Sequence, residues 1–193
     1  MVQLDCVVDM RKPNLAVQEQ KYPIPLVDEV IQKLDGAEVI SELDFRCGYH
    51  QLALDEESRV LTTFATESGV YRYKRLIFGL SIAAEVFQYH VREALKGCEG
   101  VENISDNVVV YGKDHDEHNA RLEAVLTRLE EKNLTLIRQK CKFGVKKLEF
   151  MGYLVSSKGV QLTESKIEAV MNAKSPKTVS EVRSFFGFNK FLC

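Results

Sequence analysis

Two runs of β-forming residues, Val101–Ile104 and 108–111, flank the tripeptide Ser105-Asp106-Asn107 and impose the strongest local constraint on the fold. Asp and Asn are frequent in the tight turns of β-hairpins because they tolerate left-handed backbone angles. The pattern therefore predicts an antiparallel hairpin whose turn carries Asp106. Taken alone, Ser105-Asp106-Asn107 is better explained as an ordinary hairpin turn than as a catalytic site.

Helical and strand-like segments follow one another irregularly in the rest of the chain, after an irregular stretch at residues 1–20. Apolar positions at helical spacing predict helices at residues 26–34, 81–96, 114–132, 163–173 and 179–188. Runs of β-forming residues predict strands at 39–45, 61–66, 70–76, 134–137 and 148–155, a short apolar segment at 49–54 and a hairpin link at 67–69. Because regular βαβ alternation is absent, the order of elements favours an α+β fold.

The composition is that of a globular domain with a hydrophobic core. Of the 193 residues, 45% are hydrophobic and 28% are charged, which argues against disorder. No apolar run approaches the roughly 18 residues of a membrane span, and the N-terminus lacks the basic and apolar regions of a secretory signal. We therefore expect an intracellular protein, cytoplasmic or nuclear, with no membrane partner.

Charge and cysteine content exclude little. The formal net charge is -2, whereas a strongly basic chain would have indicated a nucleic-acid partner. A chain that binds nucleic acid can, however, carry acidic residues at a separate site, and their charge can cancel that of its basic residues. The five cysteines are scattered without zinc-ligand spacing, which fits free thiols in a reducing compartment.

Asp44 is the second acidic residue with an unusual position, since it lies within the apolar run at 39–45. Asp is a poor strand residue, so it could simply begin a turn at residues 46–48. Taken together, Asp44 and Asp106 suggest instead that two carboxylates contribute to one metal site. Carboxylates on a strand and on a neighbouring hairpin could converge on Mg²⁺, which prefers oxygen ligands. Two such ions could serve a nucleotidyl transfer.

Several motifs resemble successive blocks of gypsy-type long-terminal-repeat retrotransposon reverse transcriptases. They occur in the order and near the spacing of that family and cover almost the whole chain. The blocks are Tyr22-Pro23-Ile24-Pro25, Leu43-Asp44-Phe45-Arg46-Cys47-Gly48-Tyr49-His50-Gln51-Leu52, Phe78-Gly79-Leu80 with Phe87-Gln88, Phe150-Met151-Gly152-Tyr153, and a tail from Pro176 to Gly187.

The resemblance implies a right-hand polymerase fold in which an antiparallel palm sheet packs on helices. Residues 1–175 would form the fingers and palm, with the fingers truncated, and residues 176–193 the start of the thumb. It further implies an RNA or DNA template with a primer, dNTP substrates, and Mg²⁺ or Mn²⁺. The chain would be a fragment of a longer Pol polyprotein.

By position, the resemblance assigns the catalytic metals to Asp44, to the backbone carbonyl of Phe45 and to Asp106, the first aspartate of the family's Tyr-x-Asp-Asp turn. It also implies a primer grip at Met151-Gly152, where backbone contacts would hold the primer. Lys166 would be a later lysine that approaches phosphates.

The nucleotide pocket is implied at four positions. Tyr49 matches the steric gate, an aromatic wall under the sugar that favours dNTPs, although a plain core tyrosine is the alternative. Arg11 matches an arginine of the fingers that contacts the triphosphate, with a solvated surface arginine as the alternative. Phe78 and Gly79 fall where the family lines the pocket.

The sequence departs from the family's pattern at the turn and at the nucleotide pocket. Ile104 replaces the Tyr of the Tyr-x-Asp-Asp turn, a position that mainly packs, and Asn107 replaces its second Asp. Asn is nearly isosteric with Asp but neutral, so the site would keep its shape and lose a charge. Ala84 and Ile77 stand in regions where the family has prolines, whose loss loosens a loop.

Three functions are therefore considered. The first is a reverse transcriptase core weakened by Asn107. The second is an inactive relic of a retroelement that retains weak nucleic-acid binding. The third is a protein-interaction module built on the helix at 114–132, which would require Leu122, Val125 and Leu129 to be exposed.

Overall fold

The computed structural model describes residues 8–17, 22, 25–172 and 178. In this part of the chain the α-helices are α1 (Arg11–Asn14), α2 (Val27–Lys33), α3 (Glu56–Leu61), α4 (Ala83–Ala94), α5 (His115–Glu131) and α6 (Glu164–Met171). The strands are β1 (Val39–Asp44), β2 (Phe64–Thr66), β3 (Gly69–Tyr71), β4 (Val101–Ile104), β5 (Asn107–Gly112), β6 (Lys142–Val145), β7 (Lys147–Phe150), β8 (Tyr153–Ser156) and β9 (Gly159–Leu162). No described helix has both the length and the apolar character that crossing a membrane requires.

A four-stranded antiparallel sheet in the order β4-β5-β1-β6 forms the centre of the molecule. Two smaller antiparallel units accompany it, the hairpin β2-β3 and the sheet β7-β8-β9. The expected α+β fold with an antiparallel sheet packed on helices is thus confirmed.

Both faces of the central sheet are covered, because successive strand residues point to opposite sides. On one face Leu43 and Val108 pack with Phe87 of α4 and with Val125 and Leu129 of α5. On the other face Ile40 and Val109 pack with residues of α2 and of the sheet β7-β8-β9, among them Val30, Leu34, Leu148, Phe150 and Val155. The β7-β8-β9 sheet therefore lies against one defined face of the central sheet.

Local signals explain the limits of α5. Asp114 caps the N-terminus by accepting a hydrogen bond from the Glu117 N–H (2.8 Å), and Asn133 ends the helix with φ 55°. Val125 and Leu129 are buried and Leu122 is partly buried. The apolar face of α5 thus packs on the sheet, which removes the support for an interaction module built on it.

Gly112 allows α5 to approach the central sheet closely. A Cβ at this position would lie 2.6 Å from the backbone nitrogen of His118. His118 is itself buried, and its Nε2 lies 2.8 Å from Ser41 Oγ of β1. A polar contact thus joins α5 to the strand that carries Asp44.

Several predicted elements were wrong in kind or extent. The segment 61–66 is not one strand, because Leu61 is the last residue of α3 and β2 begins only at Phe64. Asp55 caps α3 by accepting a hydrogen bond from the Ser58 N–H (2.7 Å). The segment 49–54 contains a 3₁₀ turn, Gly48–Gln51, rather than a strand. Residues 134–137 contribute only an isolated bridge between Phe45 and Leu136.

Other differences concern strand continuity and the N-terminus. The predicted strand 148–155 is two strands, because Met151 and Gly152 have φ values of 50° and 79° and form a turn. Strand β6 was not predicted, and the irregular N-terminal region contains the short helix α1. The predicted helix at 179–188, within the expected thumb segment, lies outside the described residues.

Candidate active site

The register of the central sheet brings the two predicted carboxylates to one edge. Asp44 is the last residue of β1 and pairs directly with Asn107 of β5. Asp106 precedes Asn107 in the two-residue turn that joins β4 to β5. Directly paired residues present their side chains on the same face. Asp44 and Asn107 therefore share a face, with Asp106 adjacent in the turn.

The face that carries Asp44 and Asn107 is also the face covered by the β7-β8-β9 sheet. By alternation along the strands, Asp44 lies on the side of Ile40, and Asn107 on the side of Val109. Both apolar residues pack in one cluster with Phe150, which directly precedes the turn at Met151. The predicted primer grip thus lies on the same side of the sheet as the predicted metal site.

The surroundings of Asp44 leave its carboxylate available for a cation. Its backbone N–H donates to Cys141 Sγ (3.4 Å), and Lys140 Nζ lies 3.9 Å from Oδ1. The side chain is 30% exposed. Asp106 is exposed, and its Oδ1 accepts a long hydrogen bond from Asn107 Nδ2 (3.4 Å). Neither carboxylate is buried in an ion-pair network.

The Phe45 carbonyl is directed toward the same region. The Asp44 carbonyl accepts from Ile137 N–H (2.9 Å), and Arg46 N–H donates to the Thr135 carbonyl (2.9 Å). Both bonds lie on one side of the strand. The N–H and C=O of Phe45, which lies between Asp44 and Arg46, therefore point to the opposite side, toward β5. Two carboxylates and one carbonyl would offer a cation the oxygen ligands that Mg²⁺ and Mn²⁺ prefer.

The charge of this donor set is low. Within residues 8–17, 22, 25–172 and 178, no three His, Cys, Asp or Glu side chains gather as a possible metal site. Asn107 occupies the place where a third carboxylate would stand. Its amide oxygen can approach a cation but contributes no net charge.

Tyr49 lies in the 3₁₀ turn that follows β1. Its ring centroid is 4.7 Å from that of Phe78 and 5.7 Å from that of Phe87. Burial raises the pKa of the Tyr49 phenol, and the negative charge of Asp106 raises this pKa further. Tyr49 is therefore half-buried among aromatic rings and within electrostatic range of Asp106.

Phe78 packs against Tyr49, and Gly79 follows Phe78 in the chain. Phe78 is 56% exposed, and Gly79 has φ 91°, which favours glycine. Asn14 of α1 holds this loop in place: its Nδ2 donates to the Gly79 carbonyl (2.8 Å), and its Oδ1 accepts from Ser81 N–H (3.0 Å). The loop is thus tied to the N-terminal segment.

No described contact joins Arg11 to Asp44 or Asp106. Its guanidinium is exposed and binds Asp9, with Nη2 and Oδ2 2.7 Å apart. The hydrogen bonds from Arg11 lower the pKa of the Asp9 carboxyl, and Asp9 in turn raises the pKa of Arg11. A triphosphate would have to replace Asp9 as the partner of this guanidinium.

Lys166 lies beneath the Met151-Gly152 turn, so its predicted phosphate contact does not fit the position of its ammonium group. Lys166 is 9% exposed, and its Nζ lies 3.8 Å from the Tyr153 ring centroid. A Cβ on Gly152 would lie 2.9 Å from Lys166 Cδ. Met151, by contrast, is 39% exposed. The side chain supports the turn from inside.

Sequence reasoning missed four residues at this site: Asn14, Gln88, Lys140 and Cys141. Gln88 was noted only as part of a motif, although its side chain contacts the turn that carries Asp106. The other three become significant only through contacts over 65 or more positions along the chain. Local patterns carry no signal for such contacts.

Comparison with known proteins gives consistent matches over most of the chain. The family described as reverse transcriptase (RNA-dependent DNA polymerase) matches residues 4–155. The retrovirus-related Pol polyprotein from transposon 297 of Drosophila melanogaster is 32% identical over 96% of this chain and 18% of its own length. The corresponding polyprotein from transposon gypsy is 30% identical over 96% of this chain and 18% of its own length.

A further relative, the transposon Tf2-7 polyprotein of Schizosaccharomyces pombe, is 30% identical over 98% of this chain and 14% of its own length. The chain thus spans less than a fifth of these relatives. Among solved structures, the foamy viral protease-reverse transcriptase in complex with dsDNA matches with a TM-score of 0.80 at 23% identity, over 96% of this chain and 39% of that chain. The foamy viral enzyme in complex with an RNA/DNA hybrid matches with a TM-score of 0.78 at 23% identity, over 96% of this chain and 25% of that chain. The chain therefore belongs to the reverse transcriptase (RNA-dependent DNA polymerase) family, with homologues among the Pol polyproteins of long-terminal-repeat retrotransposons, and has the α+β fold of a polymerase palm.

Proposed function

We propose that this chain is the fingers-and-palm core of an RNA-directed DNA polymerase. It would transfer dNMP from a dNTP to the 3′-hydroxyl of a primer. The observation that carries the proposal is the register of β1 and β5, which places Asp106 beside the pair formed by Asp44 and Asn107. Residues 1–175 would provide the fingers and palm, and residues 176–193 the start of a thumb.

Asp44, Asp106 and the Phe45 carbonyl would hold Mg²⁺ or Mn²⁺, with Asn107 as a neutral neighbour. Two bound divalent ions activate a 3′-hydroxyl and stabilise the leaving pyrophosphate during an in-line displacement. The chain's own part is to fix these oxygens at the end of a rigid, covered sheet. Such positioning limits the reorganisation needed during the reaction.

The neighbouring residues would bind and orient the nucleotide. Tyr49 would form the wall beneath the sugar, where its ring, supported by Phe78, excludes a 2′-hydroxyl. Gly79 would let the backbone approach the nucleotide closely. Arg11 would bind the triphosphate after leaving Asp9, which supplies a similar but weaker anionic partner in the free protein.

The primer and template would lie along the edge of the central sheet that carries Asp44, on the side occupied by the β7-β8-β9 sheet. The backbone of Met151 and Gly152 would contact the primer end. The similar foamy viral structures are complexes with dsDNA and with an RNA/DNA hybrid, which supports a primed RNA or DNA template as the partner here.

Asn107 is expected to weaken this activity. A carboxylate at residue 107 would add Coulomb attraction for the cations, and in a partly buried site its loss costs several kcal/mol, or orders of magnitude in rate. The alternative function is an inactive relic that still binds nucleic acid. The loss of a carboxylate at residue 107 is the observation that favours it.

Primer extension on primed RNA and primed DNA tests the proposal, with Asp44→Asn as the inactive control. We expect weak extension that needs Mg²⁺ or Mn²⁺ and disappears in the control. Binding of the primed template without extension, both by this chain and by the Asn107→Asp variant, would instead identify a relic. Extension that survives Asp44→Asn would contradict the proposed site.

A further inference from the structure

The turn that carries Asp106 has a left-handed backbone at a residue that does not favour it. Ile104 and Asn107 form the closing pair of the hairpin, so Ser105 and Asp106 make up the loop. Ser105 has φ 53°, whereas neither of the two residues after it has a positive φ. A side chain with a Cβ enters this region at a cost, and such a conformation persists when its surroundings hold it.

The side chain of Gln88 reaches this turn from helix α4. It is 1% exposed. Its Oε1 accepts a hydrogen bond from the Ser105 N–H, and its Nε2 donates to the Asn103 carbonyl at 2.8 Å. One buried amide thus uses both its acceptor and its donor on the backbone that leads into the turn.

Asn103 holds the other side of the turn. Its Nδ2 lies 3.1 Å from the Ser105 carbonyl and 3.5 Å from the Asn107 carbonyl. Backbone groups before and after Asp106 are therefore fixed by side-chain amides. Since Asn107 also pairs with Asp44, the same contacts set where Asp106 stands relative to the first carboxylate.

We propose that Gln88 is a positioning residue for the catalytic turn. By joining the Ser105 N–H to the Asn103 carbonyl, it keeps Ser105 left-handed and fixes the direction of the Asp106 carboxylate. Gln88 acts through the backbone of Ser105 and contacts no reacting group. The consequence for metal binding rests on the proposed polymerase function, whereas the effect on the turn does not.

The variant Gln88→Glu distinguishes a side chain that positions the turn from one that only fills the core. A protonated carboxyl can accept from the Ser105 N–H and donate to the Asn103 carbonyl, as the amide of Gln88 does. An ionised carboxylate can only accept, so one of its oxygens would face the Asn103 carbonyl. The turn of the Gln88→Glu variant should then change with pH, whereas a side chain that merely fills the core would change stability alone.

Gln51 provides a matched control because its amide makes the same kind of bridge at another loop. Its Nε2 donates to the Arg46 carbonyl (2.7 Å), and its Oε1 accepts from the Thr135 N–H (2.7 Å). The Gln51→Glu variant therefore introduces the same charge and loses the same donor. It should leave the backbone of Ser105 unchanged.

The test follows the Ser105 amide resonance of the full chain by NMR as pH is varied without metal. In Gln88→Glu we expect a titration step that is absent from the unmodified chain and from Gln51→Glu, with the resonance returning toward its unmodified position in acid. The unmodified chain is the baseline because all of its own carboxyl groups are present in all three chains. Absence of the extra step in a folded Gln88→Glu chain would overturn the proposal. This comparison does not depend on the variant Gln88→Met, which is used only to measure metal binding.

Paramagnetic broadening by Mn²⁺ gives the second readout, at the amides of Asp106 and Asn107. Gln88→Met should bind Mn²⁺ about tenfold more weakly or worse, as is common when the support of a metal ligand is removed. Ser157→Asp, at an exposed residue of the turn between β8 and β9, should bind it as the unmodified chain does. If Mn²⁺ broadens neither amide in the unmodified chain, the proposed polymerase function fails, while the Ser105 titration still decides the role of Gln88.

Discussion

Asp44 and Asn107 face each other directly across the antiparallel strands β1 and β5. The residue that replaces the second carboxylate of the family's turn is therefore the nearest cross-strand neighbour of the first carboxylate. An aspartate at residue 107 would place two like charges opposite each other, which is unfavourable in the absence of a cation. Asn107 avoids this repulsion because its side chain is neutral. For the same reason it lacks the charge that would attract a bound metal ion.

Asn107→Asp should therefore lower the stability of the metal-free chain and make it depend on Mg²⁺. Like charges on directly paired strand residues cost on the order of 0.5 kcal/mol. Chemical denaturation with a chelator should show a loss of about this size, and added Mg²⁺ should reverse it. Ser157→Asp, at an exposed residue of the turn between β8 and β9, is the control for added charge and should show neither effect. An Asn107→Asp chain that is equally stable with and without Mg²⁺ would argue against a metal site at this pair.

The Tyr49 phenol should titrate above its ordinary pKa of 10.0, because burial and the charge of Asp106 both disfavour the phenolate. Since the folded-state pKa is the higher one, the associated stability is fully present below pH 10 and is lost as pH rises through the folded-state pKa. Phenolate absorbance, taken as the difference from Tyr49→Phe, measures this pKa. Asp106→Asn should lower it part of the way. An unchanged pKa in that variant would place Asp106 out of range of Tyr49.

Lys166→Met should raise the free energy of unfolding by about 1 kcal/mol. The ammonium is buried against Tyr153, and its Nζ finds no hydrogen-bond partner among the described residues. A thioether of similar length removes the cost of burying the charge, which exceeds the loss of the cation–π contact.

The same variant tests the predicted phosphate contact of Lys166. With the lysine held inside, primed-template affinity and its salt dependence should be unchanged in Lys166→Met. Loss of affinity, with the salt slope reduced by about one, would show that the lysine leaves its position and binds a phosphate. Lys158, exposed in the turn between β8 and β9, provides the control variant Lys158→Met.

Local sequence patterns predicted the elements whose signals are local. The helix α5 follows from its apolar spacing and its Asp114 cap, and the β4-β5 hairpin follows from two β-forming runs around a turn. The turn differs in one physical respect, because the left-handed residue is Ser105 rather than Asp106 or Asn107. Gln88 and Asn103 both bond the backbone of this turn, and the contact from Gln88 comes from another element of the fold.

The remaining differences arise where tertiary contacts override local preference. Helix α3 was missed because Val60 and the following Thr62 and Thr63 favour a strand locally, yet the Asp55 cap begins a helix. Strand β6 carries exposed Lys142 and Phe143, so it lacks the alternation of a half-buried strand. The pairing of β1 with β5 joins residues more than 60 positions apart, and only the family's motif order indicated that their acids would meet.

Primer extension by the unmodified chain and by Asn107→Asp, side by side on the same primed RNA with dNTPs and Mg²⁺, tests the central claim most directly. The proposed site predicts very weak or absent extension by the unmodified chain and a clear increase when the carboxylate is restored. Asp44→Asn in the restored chain should abolish it. Robust extension by the unmodified chain, with no gain from Asn107→Asp, would contradict the role given to residue 107.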